Sequence, residues 1–133
     1  MGQKRLRISV CTSCKVKGES DRPGFALLHA LRARLAENPN LRDGFEVGGV
    51  ACMAGCDRPC AVGFHGQGKA SYLFGDLETG ADVDDLLHFA RQYDALHDGW
   101  CSSVDRPGKL RKSTLARIPA TLFDVPYPRE AAE

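Results

Sequence analysis

Five of the six cysteines of this chain fall into two groups, and each group follows a short apolar segment. The first group is CTSC, from Cys11 to Cys14, and the second is CMAGCDRPC, from Cys52 to Cys60. The apolar segments have the length of strands, so both groups lie where a strand ends and a loop begins. Thiolates gathered between two loops are ligands for zinc or for an iron-sulfur cluster. The grouping therefore predicts a metal or cluster site.

Composition predicts an ordinary globular domain that needs no covalent cross-links. The chain has 133 residues, of which 43% are hydrophobic and 26% are charged, which is enough to bury a core. No apolar run has the length of a secretory signal or a membrane span, so we expect a cytoplasmic protein without membrane contact. In that reducing compartment, closely spaced cysteines bind metals or act in catalysis more often than they form disulfides.

The first half of the sequence predicts a strand, a helix and a second strand. Residues 5–10 read as a strand that delivers Cys11 to its carboxyl end. Ser20 or Asp21 is expected to cap the helix, which ends near residues 38–40. Residues 45–51 form the second strand, parallel to the first through a crossover. The predicted apolar stripe of the helix comprises Phe25, Leu28, Leu31 and Leu35.

The second half predicts a hairpin and another helix. Residues 61–65 and 69–74 read as strands joined by a glycine-containing turn. Asp82 is expected to cap the following helix, with Asp85 three residues on. The expected fold is α/β, with a mixed sheet of about four strands and two helices in residues 1–103. Residues 104–133 are predicted to form a basic, partly ordered C-terminal tail.

The spacing of the cysteines favours a cluster over zinc. Zinc knuckles commonly pair two C-x-x-C motifs about 15 to 20 residues apart. Here the second pair, Cys52 and Cys56, has the spacing C-x-x-x-C, and 37 residues separate Cys14 from Cys52. A zinc-stabilised binding module stays an alternative.

Thiol-disulfide exchange by Cys11 and Cys14 is another alternative, because C-x-x-C after a strand resembles the thioredoxin motif. The predicted helix begins about seven residues after the motif, so its dipole is expected to act weakly there. The sequence contains no carboxylate dyad, nucleophile with its base, or phosphate-binding loop. An electron carrier is therefore expected rather than an enzyme.

The element order and three motifs resemble the thioredoxin-like 2Fe-2S ferredoxins. The motifs are VCTSCK, CMAGCDRPCAVGF and YLFGDL, and the resemblance runs from Arg7 to Ser103. Within that group the chain is most similar to a bacterial family of predicted metal-binding proteins of unknown function. The resemblance implies a thioredoxin-like fold and a 2Fe-2S cluster that transfers one electron.

The resemblance also implies which cysteines hold the cluster. Carried over to this chain, the ligands are Cys11, Cys52 and Cys56, with Cys14 as the remaining cysteine of the first loop. Cys14 stands closer to Cys11 than the corresponding pair in those ferredoxins. Cys60 is therefore the alternative fourth ligand, although a cysteine beside an apolar run also packs as a small hydrophobic residue.

Basic residues flank the cysteine motifs and suggest a partner. Lys15, Lys17 and Arg58 are expected to raise the reduction potential and to form a basic rim for a redox partner protein. The net charge of +1 gives no general attraction for nucleic acid, so none is expected. A homodimer, common among related ferredoxins, stays open. Cys101, beside Trp100, is expected to lie outside the site.

Overall fold

A mixed five-stranded sheet forms the centre of the computed structural model, which describes residues 6–13, 22–53 and 60–120. The strands are β1 (Leu6–Cys11), β2 (Phe45–Val50), β3 (Val62–Gly66), β4 (Ser71–Phe74) and β5 (Thr114–Ile118). The helices are α1 (Pro23–Ala36), α2 (Pro39–Gly44), α3 (Val83–Ala95) and α4 (Leu110–Ser113), and a 3-10 turn spans Ser103–Asp105. The order across the sheet is β2-β1-β3-β4-β5.

The position of β1 between β2 and β3 determines which strand ends lie next to one another. It pairs in parallel with β2, where Cys11 lies opposite Val50, and antiparallel with β3, where Val10 lies opposite Val62. The parallel crossover predicted from the sequence is confirmed. The carboxyl ends of β1 and β2 and the amino end of β3 consequently lie at one edge of the sheet.

Aromatic rings fill the space between the sheet and α3. Phe89 of α3 meets Phe64 of β3 edge-on, with ring centroids 4.9 Å apart, and meets Tyr72 of β4 at 5.0 Å. Edge-to-face pairs of this kind add about 0.5–1.5 kcal/mol beyond the burial of their area. Tyr93 of α3 is fully buried and donates a hydrogen bond of 2.5 Å to the Ala70 carbonyl. This packing holds the hairpin of β3 and β4 against the helix.

The helix boundaries differ from the predicted ones in their caps. The N-cap of α1 is Arg22, with Pro23 in the first turn, and neither Ser20 nor Asp21 lies within the described residues. Phe25 is 52% exposed and does not belong to the buried stripe. The stripe shifts because the first turn of α1 buries Gly24 instead. The buried residues of α1 are Gly24, Leu27, Leu28, Leu31 and Leu35.

The predicted cap of α3 also has a different role. Asp82 occupies the N-cap position, but its side chain accepts hydrogen bonds from the Glu78 backbone N–H at 2.7 Å and from Lys109 Nζ at 3.0 Å. Asp85 accepts a hydrogen bond from the Lys109 backbone N–H. These carboxylates therefore tie α3 to the segment before α4.

The sheet gains one strand beyond the four that the sequence predicts. β5 pairs antiparallel with β4, with Ser71 opposite Ile118, and it lies in the segment assigned to the tail. Its sequence, TLARI, is short and follows a basic stretch, so no strand pattern stands out. The last 13 residues of the chain, 121–133, lie outside the described residues. Among the helices within residues 6–13, 22–53 and 60–120, none has the length and apolar character needed to cross a membrane.

Candidate metal centre

Cys11 is the last residue of β1 and is fully buried. Its N–H donates a hydrogen bond of 3.0 Å to the Ala61 carbonyl, which continues the pairing of β1 with β3 by one residue. Its Sγ lies 3.7 Å from Ser13 Oγ. The sheet edge therefore holds this thiol in a defined position.

The amino end of α1 lies against Cys11, although it is twelve residues further along the chain. A Cβ built on Gly24 would overlap the Cys11 carbonyl oxygen and stand 3.1 Å from Thr12 Cα. Only glycine permits this approach. The helix dipole was expected to act weakly at this motif, but the fold brings the positive end of a 14-residue helix to Cys11.

The end of β2 is tied to the residue after Cys11. The Thr12 N–H donates to the Val50 carbonyl at 2.9 Å, and Thr12 Oγ1 donates to the same oxygen at 3.2 Å. At Gly49 a Cβ would stand 2.8 Å from Thr12 Cγ2, so the strand passes close to the loop. Cys52, two residues beyond Val50, is exposed.

Cys60 lies on the other side of Cys11, just before β3. It is buried with 2% of its surface exposed, and its N–H donates to the Leu77 carbonyl at 3.4 Å. Burial raises the pKa of the Cys60 thiol, and the charge of nearby Cys11 raises it further. The two thiols therefore share one buried environment.

Several predicted site residues fall outside the described ranges. Within residues 6–13, 22–53 and 60–120, no three side chains of His, Cys, Asp or Glu converge on a point that could hold a metal ion. The sulfur donors described at this edge, Cys11, Cys52 and Cys60, have the soft character that zinc and iron-sulfur clusters require. The predicted site residues outside the described ranges are Cys14, Lys15, Lys17, Cys56 and Arg58.

Cys101 lies in a separate buried environment beside β4. Its N–H donates to Tyr72 Oη at 3.0 Å, and Arg106 and Arg117 donate to its carbonyl at 3.1 and 2.6 Å. Arg106 is only 5% exposed, and Arg117 stacks on Trp100 with its guanidinium 3.8 Å from the ring centre. Contacts with Tyr72 of β4 and with Arg106 therefore account for the burial of Cys101.

Sequence reasoning missed the residues that position the cysteines. Gly24 and Gly49 leave room for the backbone around Cys11 and Thr12, and Ala61 supplies the carbonyl that anchors Cys11. The sequence carried one signal for Gly24, which follows Pro23 at the start of α1. Glycine lowers helix propensity there, so its presence indicates a position where a side chain does not fit. The role of Ala61 had no signal in the sequence.

A comparison with protein families assigns the chain to a family. The model of DUF1636, described as a protein of unknown function, matches residues 8–120. The chain belongs to the DUF1636 family. No curated protein matches this DUF1636 chain.

Solved structures show that the DUF1636 chain has a thioredoxin-like fold. It is similar to the structure of a thioredoxin-like 2Fe-2S ferredoxin from Aquifex aeolicus, with a TM-score of 0.60 and 14% identity over 91% of this chain and 100% of that one. The crystal structure of the wild-type thioredoxin-like 2Fe-2S ferredoxin from the same organism has a TM-score of 0.51 and 16% identity, covering 65% of this chain and 84% of that one. Identities this low show the fold alone. The predicted thioredoxin-like α/β class is confirmed.

Proposed function

We propose that this protein is a one-electron carrier that binds a 2Fe-2S cluster through cysteine thiolates. Three ligands are Cys11, Cys52 and Cys56, and the fourth is Cys14 or Cys60. The observation that supports this proposal is the bond between the ends of β1 and β2, where the Thr12 N–H meets the Val50 carbonyl. It brings Cys11 and the start of the Cys52 loop to one sheet edge. The shared fold with ferredoxins from Aquifex aeolicus supports the same assignment.

The residues around Cys11 suit a negatively charged group. When bound, a 2Fe-2S cluster accepts and returns one electron without making or breaking substrate bonds. The first turn of α1 presents the positive end of its dipole next to Cys11, and positive potential favours the more negative, reduced state. Burial of Cys11 excludes water from one side of the site. Burial also restricts the access of a substrate disulfide to Cys11, which favours a ligand over a nucleophile, whereas the helix dipole would stabilise a thiolate in either role.

The basic residues near the motifs are proposed to face a redox partner. Lys15 and Lys17 follow Cys14 by one and three residues, and Arg58 lies between Cys56 and Cys60 in the sequence. Cations at the rim would attract a partner protein with an acidic surface and speed its association. A cytoplasmic location fits this function, since a reducing compartment keeps the thiols available for metal.

Anaerobic purification of the full chain tests the proposal. We expect a red-brown protein with about two iron atoms and two sulfides per chain, and a rhombic paramagnetic signal after one-electron reduction. The matched control is Cys101→Ser, which should keep the cluster because Cys101 lies against Tyr72 and Arg106 instead.

Two other outcomes would replace the proposal. A colourless protein with one equivalent of zinc would identify a zinc-stabilised binding module. A colourless, metal-free protein that reduces insulin disulfides would identify a thiol-disulfide exchange protein.

A further inference from the structure

The side chain of Ser13 lies beside the thiol of Cys11, two residues earlier in the chain. Its hydroxyl oxygen stands 3.7 Å from Cys11 Sγ, within hydrogen-bond distance of a sulfur atom, and the contact is partly buried. In the free thiol either atom can donate, but a metal-bound thiolate has no proton and can only accept. The Ser13 hydroxyl is therefore the donor once Cys11 is a ligand.

The backbone donors next to this thiol are used by the pairing of the strands. The Cys11 N–H donates to the Ala61 carbonyl at 3.0 Å, and the Thr12 N–H donates to the Val50 carbonyl at 2.9 Å. Both groups therefore point toward neighbouring strands and away from the sulfur of Cys11. The Ser13 hydroxyl follows next along the chain and is placed to donate to that sulfur.

Arg22 fixes the backbone that carries this hydroxyl. Its Nη1 donates to the Ser13 carbonyl at 2.6 Å, although the two residues are nine positions apart in the chain. Hydrogen bonds with a charged donor are shorter and stronger than those between neutral groups. Arg22 is also the N-cap residue of α1, whose Gly24 packs against the Cys11 carbonyl. The start of α1 therefore holds Ser13 in position relative to Cys11.

We propose that the Ser13 hydroxyl donates a hydrogen bond to the Cys11 ligand and raises the reduction potential of the cluster, with Arg22 as the positioning residue for Ser13. This inference rests on the proposed function. Reduction adds one negative charge to the cluster and its thiolates, so a donor to a ligand sulfur stabilises the reduced state more than the oxidised state. Groups that contact a ligand and not the metal tune many metal sites in this way.

Substitution of Ser13 tests the donor in the full chain, reconstituted with iron and sulfide. Ser13→Ala removes the hydroxyl and leaves the charge unchanged. At a fixed solution potential, we expect the ratio of reduced to oxidised protein to fall by about three- to tenfold, the factor that one net hydrogen bond supplies. Ser13→Thr keeps a hydroxyl and should have the wild-type potential. Ser9→Ala is the matched control, because the Ser9 hydroxyl lies 3.5 Å from His65 Nε2, and it should leave the ratio unchanged.

The variant Arg22→Met, made in the wild type and in Ser13→Ala, separates positioning from charge. Loss of the Arg22 charge lowers the potential in both backgrounds, whereas loss of its contact with Ser13 affects the potential only where the hydroxyl is present. We therefore expect a larger shift in the wild-type background than in Ser13→Ala. Equal shifts in the two backgrounds overturn the role assigned to Arg22.

The other outcomes distinguish the inference from the proposed function. If Ser13→Ala does not fold or does not hold the cluster, Ser13→Gly, which also lacks the hydroxyl, takes its place. A variant without the hydroxyl that has the wild-type potential, or Ser13→Thr with the potential of Ser13→Ala, overturns the inference alone. A wild-type protein that takes up no iron refutes the proposed function and the inference with it.

Discussion

Gly24 of α1 packs directly against the carbonyl of Cys11, with no room between them for a side chain. The contact joins two parts of the chain that the sequence separates by twelve residues, and it brings a helix amino terminus to a proposed ligand. Gly44, at the end of α2, has no atom within 4 Å of the position that a Cβ would take. The two glycines therefore form a matched pair for testing the contact.

Gly24→Ala should destabilise the protein, because the new methyl group overlaps backbone atoms that cannot rotate away. We expect the free energy of unfolding to fall by about 1–3 kcal/mol, despite the better helix propensity of alanine. Urea denaturation of the metal-free protein measures the change. Gly44→Ala should change the same quantity by less than about 1 kcal/mol. Equal effects of the two substitutions would show that the close contact at Gly24 is not a constraint.

The side chain of Lys69, which precedes β4, caps the carboxyl end of α3. Its Nζ donates to the carbonyls of Tyr93 at 2.6 Å, Asp94 at 3.2 Å and Leu96. Lys69→Met keeps the apolar stem but removes the hydrogen-bond donors, so we expect the free energy of unfolding to fall by about 1–3 kcal/mol. Amide exchange in the last turn of α3 should also become faster. Lys112→Met, at an exposed position, is the control and should have little effect on either measurement.

Tyr72 should make the protein sensitive to alkaline pH. Burial, aided by the hydrogen bond to Cys101, raises the pKa of Tyr72 from 10 to about 12. The folded state therefore holds the proton more tightly than the unfolded chain does. This contribution to stability is complete below about pH 10 and is lost as the pH rises toward about 12, with each unit of pKa difference corresponding to about 1.4 kcal/mol.

Tyr72→Phe tests that dependence. At neutral pH the variant should be less stable by about 1–3 kcal/mol, because the Gly99 carbonyl and the Cys101 N–H lose their partner. Between pH 10 and 12 its free energy of unfolding should fall less steeply than that of the wild type, which urea denaturation at several pH values would measure. An unchanged slope would mean that Tyr72 does not titrate with unfolding.

The proposed basic rim should influence the reduction potential. Replacing Lys15, Lys17 and Arg58 together with Gln removes positive charge near the ligands, so the potential should become more negative. Direct electrochemistry of the reconstituted protein measures this shift. Arg42→Gln is the control, because α2 precedes the amino end of β2 and lies away from the edge with the cysteines. A potential that stays constant in the triple variant would remove these residues from the electrostatics of the site.

The sequence predicted the main elements because their signals are local. Alternating apolar residues identify β1, and the glycine turn between β3 and β4 identifies the hairpin. The fifth strand was missed because β5 acquires its structure by pairing with β4, and its own sequence is short and partly charged. The cap of α3 was misjudged because Lys109 draws the Asp82 carboxylate into a tertiary contact.

The positions of cysteines after the strands β1 and β2 were predictable from the sequence alone, since hydrophobic periodicity and cysteine spacing are properties of neighbouring residues. Only the tertiary structure placed Cys60 beside Cys11 and the first turn of α1 against the same residue. Those contacts depend on the register of β1 with β3 and on the path of the crossover helix. Both are set by packing between distant parts of the chain, for which a single sequence carries no local signal.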